Sequence, residues 1–173
     1  YITRGENMLV SFCVIAYNEE KALDSLFKDI IAQDYPHGNI EVILVNAMST
    51  DQTRRKMEHF SEEDHGFRRV VLDNAKKIQA AGWNVAITAS KGDIILRIDA
   101  HTMIPHDFVS KNVQCILSGE NVTGGRRPNV VEEETPWKHT LLLAESSMFG
   151  SSIAPYRKGN HKTYVKSVFH GAY

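Results

Sequence analysis

With only two cysteines in 173 residues, Cys13 and Cys115, the chain has no disulfide framework and no cysteine-rich zinc site. Each cysteine sits in an apolar stretch, so buried free thiols are expected. No uninterrupted apolar run approaches the roughly 18 residues of a membrane span, and no secretory leader is visible. Charge of one sign is also missing: 20 basic residues face 21 acidic ones, for a formal net of -1. That balance argues against electrostatic capture of nucleic acid as the main task. There is no phosphate-binding P-loop, no Gly-x-Gly-x-x-Gly fingerprint and no nucleophile elbow. Internal repeats and low-complexity linkers are absent too. What remains is 42% hydrophobic and 24% charged, a composition that supports a packed core. The length suits a single domain over residues 1–173. With Tyr1 rather than Met as the first residue, a piece of a longer chain is expected. The expected class is a cytoplasmic globular domain.

Read for periodicity, the chain alternates strand and helix signals. Residues 8–16 and 40–45 are continuous runs of β-formers, the pattern of strands buried on both faces. Residues 68–72 and 93–98 supply a third and a fourth strand. Between them, 18–33, 49–63 and 79–90 carry helical spacing, with Asn18 as the expected cap of the first helix and Ser49 or Thr50 of the second. A further helix runs from near Pro105 to Leu117, followed by a short strand over 121–125. Residues 135–148 read as helical, and 162–169 alternate like a strand. Four β–α alternations predict an α/β fold, a mostly parallel, doubly wound sheet with helices on both faces. In such sheets ligands sit at the carboxyl ends of the strands.

Those ends hold four candidate groups. After the first strand come Ala16, Tyr17, Asn18, Glu19 and Glu20, where a ring beside a carboxylate could hold a flat base or a ribose, or the polar residues could simply cap a helix. Asn46 ends the second strand and offers both a donor and acceptors. The third strand leads into Lys76 and Lys77 and then small residues, which suit either an approach to phosphate or tight packing of a helix on the sheet. The fourth leads into Asp99, Ala100 and His101. A carboxylate and an imidazole two positions apart on an extended strand end project to one side and could share a divalent ion. Gly124, Gly125, Arg126 and Arg127 read equally as an anion loop or as a strand end beside a bend.

Three segments in order, Val10 to Glu20, Glu41 to Thr53 and Arg97 to His101, resemble family 2 glycosyltransferases of the GT-A fold. The likeness is strongest to bacterial exopolysaccharide enzymes of the succinoglycan glucosyltransferase type, which carry Asp-Ala-His in place of the usual Asp-x-Asp. The segment from Asn74 to Asn84, the Gly124-Gly125 pair and the terminal His170 to Tyr173 also resemble that subgroup. The resemblance implies inverting transfer of a sugar from a nucleotide donor, with a UDP-sugar favoured, to a saccharide or lipid-linked acceptor. It implies a peripheral place at the inner membrane face and a divalent cofactor, Mn2+ or Mg2+. By the same likeness, Ala16, Tyr17, Glu19, Asn46, Gln79 and Asp99 bind the nucleotide-sugar, and Asp99 and His101 hold the metal.

Asn46-Ala47 stand where the family commonly has an acidic pair, and Ile15 where many relatives have proline. Lys166 replaces an aspartate of the subgroup. The family's general base lies beyond the Gly-Ala-Tyr region, so it is expected past Tyr173; residues 132–134 form an acidic run in a polar loop. The alternative is a non-catalytic nucleotide-sugar-binding domain of the same fold. A nucleotidyltransferase would show a glycine-rich basic loop after the first strand, and residues 16–20 contain no glycine.

Overall fold

The computed structural model describes residues 8–125, 135–147, 163–165, 168 and 171–173. The strands are β1 (Val10–Ala16), β2 (Ile40–Asn46), β3 (Arg68–Asp73), β4 (Ile94–Asp99), β5 (Thr123–Gly124) and β6 (Gly171–Ala172). The α-helices are α1 (Leu23–Ile31), α2 (Thr53–Glu62), α3 (Gln79–Ala89), α4 (Phe108–Leu117) and α5 (Pro136–Ser146). Strand order is β3-β2-β1-β4-β6-β5. The first four strands are parallel, and β6 runs antiparallel to β4 through Leu96 and Ala172. The chain divides into two compact units: residues 1–123 with 170–173, and residues 124–169.

The expected α/β architecture is observed, and strand alternation explains it. On one sheet face Val10, Phe12, Val14 and Ala16 pack with Val42, Leu44, Ile94, Leu96 and Ile98 beneath α1, α2 and α4. On the other face Cys13, Ile43 and Val45 meet Trp83, Val85 and Ala86 of α3. Every residue of β2 is buried, its apolar residues as a strand covered on both faces requires and the polar Glu41 and Asn46 with them. Buried Gln33 joins α1 to α4: its Nε2 donates to the carbonyls of Asp29 and Pro105, and its Oε1 accepts from the Val109 N–H.

At the amino ends of the strands Glu41 is buried inside a cage of donors. Ser11 Oγ donates to it at 2.5 Å and the Gly92 N–H at 3.1 Å, joined by the Lys91 N–H and the Arg68 guanidinium. Only glycine fits at position 92, because a Cβ there would lie 2.3 Å from Ser11 Oγ.

Three local expectations are corrected. The first helix begins at Leu23, not at residue 18, and its cap position is Ala22 with no side-chain hydrogen bond. Asn18 is in the left-handed region at φ 54°, which cannot start a helix. The second helix begins at Thr53, because Ser49 and Thr50 bond the β1–α1 loop and not the helix. Cys13 is buried as expected, its thiol pushed up to about 12 by burial and by Glu41, whereas Cys115 is half-buried. In residues 124–169, α5 is capped by Thr135, whose Oγ1 accepts from the Lys138 N–H at 3.2 Å, with Pro136 in the first turn. Residues 163–165 and 168 form no strand, and the rest of 162–169 lies outside the described residues. So do Arg126, Arg127, Lys166 and residues 132–134.

Candidate functional site

Strand order reverses between β1, which leads outward to β2 and β3, and β4, which lies on the other side. At such a switch point the loops leaving the two strands diverge and open a crevice at their carboxyl ends. Asp99 ends β4 there, opposite Ile15 of β1. His101 follows one residue beyond Ala100, with its side chain 60% exposed. Across the crevice Glu19 brings its Oε1 to 3.0 Å from His101 Nδ1. The structure thus joins two residues selected from sequence, Glu19 and His101, 82 positions apart.

The Glu19 loop is held by a reciprocal clasp. The N–H groups of Asn18, Glu19 and Glu20 donate to Ser49 Oγ (3.1 Å), Thr53 Oγ1 (2.7 Å) and Asp51 Oδ2 (3.2 Å). In return the N–H groups of Thr50 and Gln52 donate to Asn18 Oδ1 and Glu20 Oε2, both at 2.9 Å. Desolvation opposes ionisation of Asp51, but hydrogen bonds from Thr53 and Glu20 outweigh it and hold the carboxyl below its usual range. Beside the clasp, Tyr17 leaves its ring half-exposed. Ala16 is buried and accepts from the Ala47 N–H at 2.9 Å.

Asn46 is only 4% exposed. Its Oδ1 accepts from the Ser49 N–H and its Nδ2 donates to Asp73 Oδ1, each at 3.0 Å. Asp73 also receives Arg54 Nη1. The Arg54 guanidinium, and after it the Asn46 amide, hold the Asp73 carboxyl below the usual carboxylate range. At the third strand end both readings have structural counterparts. Lys76, Lys77 and Gln79 are exposed, while Gly82 packs so close that a Cβ would lie 3.0 Å from Ile15 Cδ1 and 3.1 Å from Asn74 Nδ2.

Sequence reasoning missed two charged residues. Asp73 is the exposed last residue of the half-buried β3; its place at the carboxyl end of a strand was the available signal. Arg97 shares the Asp99 face of β4 by strand alternation, lies over the Trp83 ring at 4.8 Å and keeps a buried Nε with no hydrogen bond among the described residues.

The family model for glycosyl transferase family 2 matches residues 11–172. The chain belongs to that family. Succinoglycan biosynthesis protein ExoA of Rhizobium meliloti is 27% identical over 164 residues, covering 91% of this chain and 46% of that protein. The family 2 fold is also that of S. aureus TarS in complex with UDP-GlcNAc, at a TM-score of 0.61 and 24% identity, covering 75% of this chain and 37% of TarS. Mannosyltransferase PcManGT from Pyrobaculum calidifontis, in complex with GDP-Man and Mn2+, aligns at a TM-score of 0.61 and 24% identity, covering 79% of this chain and 39% of its own. The chain spans less than half the length of each of these relatives. The fold is the GT-A fold expected from the sequence.

The donor set suits a divalent ion shared with a substrate. Among the described residues no group of three His, Cys, Asp or Glu side chains forms a complete metal cage. A carboxylate and an imidazole that leave most coordination positions open match an ion whose other ligands are phosphate oxygens and water. Glu19 on His101 Nδ1 leaves Nε2 as the free ligand atom, the usual arrangement by which a second carboxylate orients a metal-binding histidine.

Proposed function

We propose that this chain is the donor-binding part of an inverting glycosyltransferase, which moves a sugar from a nucleoside diphosphate to an acceptor hydroxyl. The observation that carries the reading is the Glu19–His101 pair set across the switch point beside Asp99. Asp99 and His101 Nε2 hold Mn2+ or Mg2+, and Glu19 fixes the imidazole by its Nδ1–H. A bound divalent ion acts as a Lewis acid on the charge that develops as the nucleoside diphosphate leaves. Asp99 also receives the ribose. Ala16, Tyr17 and Asn46 line the nucleotide pocket, with the exposed Tyr17 ring covering the base. Gln79, the first residue of α3, faces the donor from the third strand end. The favoured donor is a UDP-sugar, and the acceptor is a saccharide or a lipid-linked glycan at the cytoplasmic membrane face. No helix among the described residues is long and apolar enough to cross a membrane. No residue of the chain is assigned as general base.

The test is Asp99→Ala. We expect it to melt close to the unsubstituted chain and to lose manganese-dependent binding of the donor, measured by calorimetry. Binding that stays unchanged and metal-dependent would remove Asp99 from the site.

A further inference from the structure

We infer that β3 is a self-association edge: two copies of the chain join their β3 strands antiparallel across a two-fold axis at Val71, and the two sheets become one. The inference is independent of the proposed donor site.

The open edge comes first. β3 ends the strand order, with β2 on its inner side and no described strand on its outer side. Whereas β2 is buried throughout, each residue of β3 is half-buried or exposed, the apolar Val70, Val71 and Leu72 included. The Asn74 N–H donates to the Asn46 carbonyl at 2.8 Å. Alternation along the strand therefore turns the N–H and C=O groups of Val70 and Leu72 toward β2, and those of Arg69, Val71 and Asp73 outward. No described residue bonds these outward groups. An exposed edge that carries apolar side chains is a template for another strand.

Register follows from the pleat and the charges. A two-fold axis perpendicular to the sheet keeps each face continuous, so residues paired across it must come from the same face. Centring on Val71 pairs Val71 with its copy, Val70 with Leu72, and Arg69 with Asp73. The Val71 and Arg69–Asp73 pairs fall on the outward-bonding positions and can exchange backbone hydrogen bonds in full. Val70 and Leu72 meet on the α3 side, beside the groove lined by Leu72, Val85 and Ala89. Opposite charges meet at both ends of the pairing. Arg69 uses Nε and Nη1 within its own chain and Asp73 uses Oδ1, while Arg69 Nη2 and Asp73 Oδ2 have no described partner. Centring on Val70 instead sets Arg69 against Val71 and leaves Asp73 unmatched.

Charges at an edge strand often blunt it against a second copy. Here the two signs stand four residues apart on one strand, so antiparallel pairing attracts where a single sign would repel. A formal net charge of -1 adds almost no repulsion between copies. The joined strands run in opposite directions, so the two sets of carboxyl-end loops lie at opposite edges of the sheet and both stay open.

Sedimentation equilibrium of the chain over a concentration series tests the pairing. The average mass should rise from one chain toward two, with the weak affinity of a small interface. Val71→Pro removes an outward N–H that β2 does not use and should hold the chain monomeric with its circular dichroism unchanged. Should Val71→Pro melt early, Val71→Cys reads the register directly. Hydrogen-bonded antiparallel partners have Cα atoms about 5.5 Å apart, within disulfide reach. Under mild oxidation Val71→Cys should therefore give a covalent dimer, and Val70→Cys, off the axis, should not. A chain that stays monomeric up to about 1 mM overturns the inference and leaves the edge to a strand of another protein. A dimer that a folded Val71→Pro leaves intact, or that cross-links at Val70 and not at Val71, overturns it equally.

Discussion

At the scale of single residues, the chain separates a buried charge that holds the fold from the exposed charges proposed to face a ligand. Glu41 is the former. Burial opposes its ionisation, yet hydrogen bonds from the Lys91 N–H, Ser11 and Arg68 win, and its carboxyl lies below its ordinary 4.5. A folded-state value below the unfolded one means that its contribution is fully present above about pH 4.5 and is lost as pH falls through the folded value. Glu41→Ala leaves the Gly92 N–H, the Lys91 N–H and Ser11 Oγ without their acceptor, a loss of about 3 kcal/mol at neutral pH. Denaturant unfolding at pH 7 and again at pH 4 measures it: the gap between variant and parent should narrow at the lower pH. A constant gap would remove the ionised carboxylate as the cause. The Asp99–His101 pair was legible as a motif at a strand end, but not through strand periodicity. β4 stops at Asp99 and the chain turns, the Thr102 N–H donating to the Asp99 carbonyl at 3.1 Å, so His101 lies in the turn and not on an extended strand. The partners were not legible: Glu19 reaches His101 across 82 positions, and Asn46 reaches Asp73 across 27. Only the sheet's strand order brings those pairs together.

At the scale of elements, the two loops of the clasp exchange six hydrogen bonds between residues 18–20 and 49–53. From sequence, Asn18, Ser49 and Thr50 had the composition of helix caps, because the same short polar side chains serve both purposes. The left-handed φ of Asn18 decides between them, and local propensity does not reveal it. Asn18→Ala removes the acceptor for the Thr50 N–H and puts an unsuited residue at positive φ. It should cost about 1–2 kcal/mol, or roughly 3–6 °C in Tm for a domain of this size. Asn18→Gly keeps the backbone freedom and should cost less. Equal melting of all three proteins would show that the clasp contributes nothing to stability.

At the scale of the whole molecule, the alternation of buried strands and amphipathic helices made the parallel sheet readable, since a βαβ crossover leaves few topologies open. Boundaries fell within a residue or two for β1 to β4, where the apolar runs are sharp. The two-residue β6 had no periodicity to show, and its antiparallel pairing with β4 through Ala172 comes from tertiary contact alone. The division into two compact units likewise leaves no mark in composition. The strand ends identified from sequence lie along one edge of the parallel sheet, and the central proposal is a metal-dependent nucleotide-sugar site at the β1–β4 switch point. Calorimetric titration of the chain with UDP-glucose, first with manganese and then with EDTA, and with GDP-mannose alongside, tests it most directly. The account predicts saturable binding of one donor in manganese and its loss in EDTA. Binding of equal strength with and without metal, or of neither donor in either condition, would contradict it.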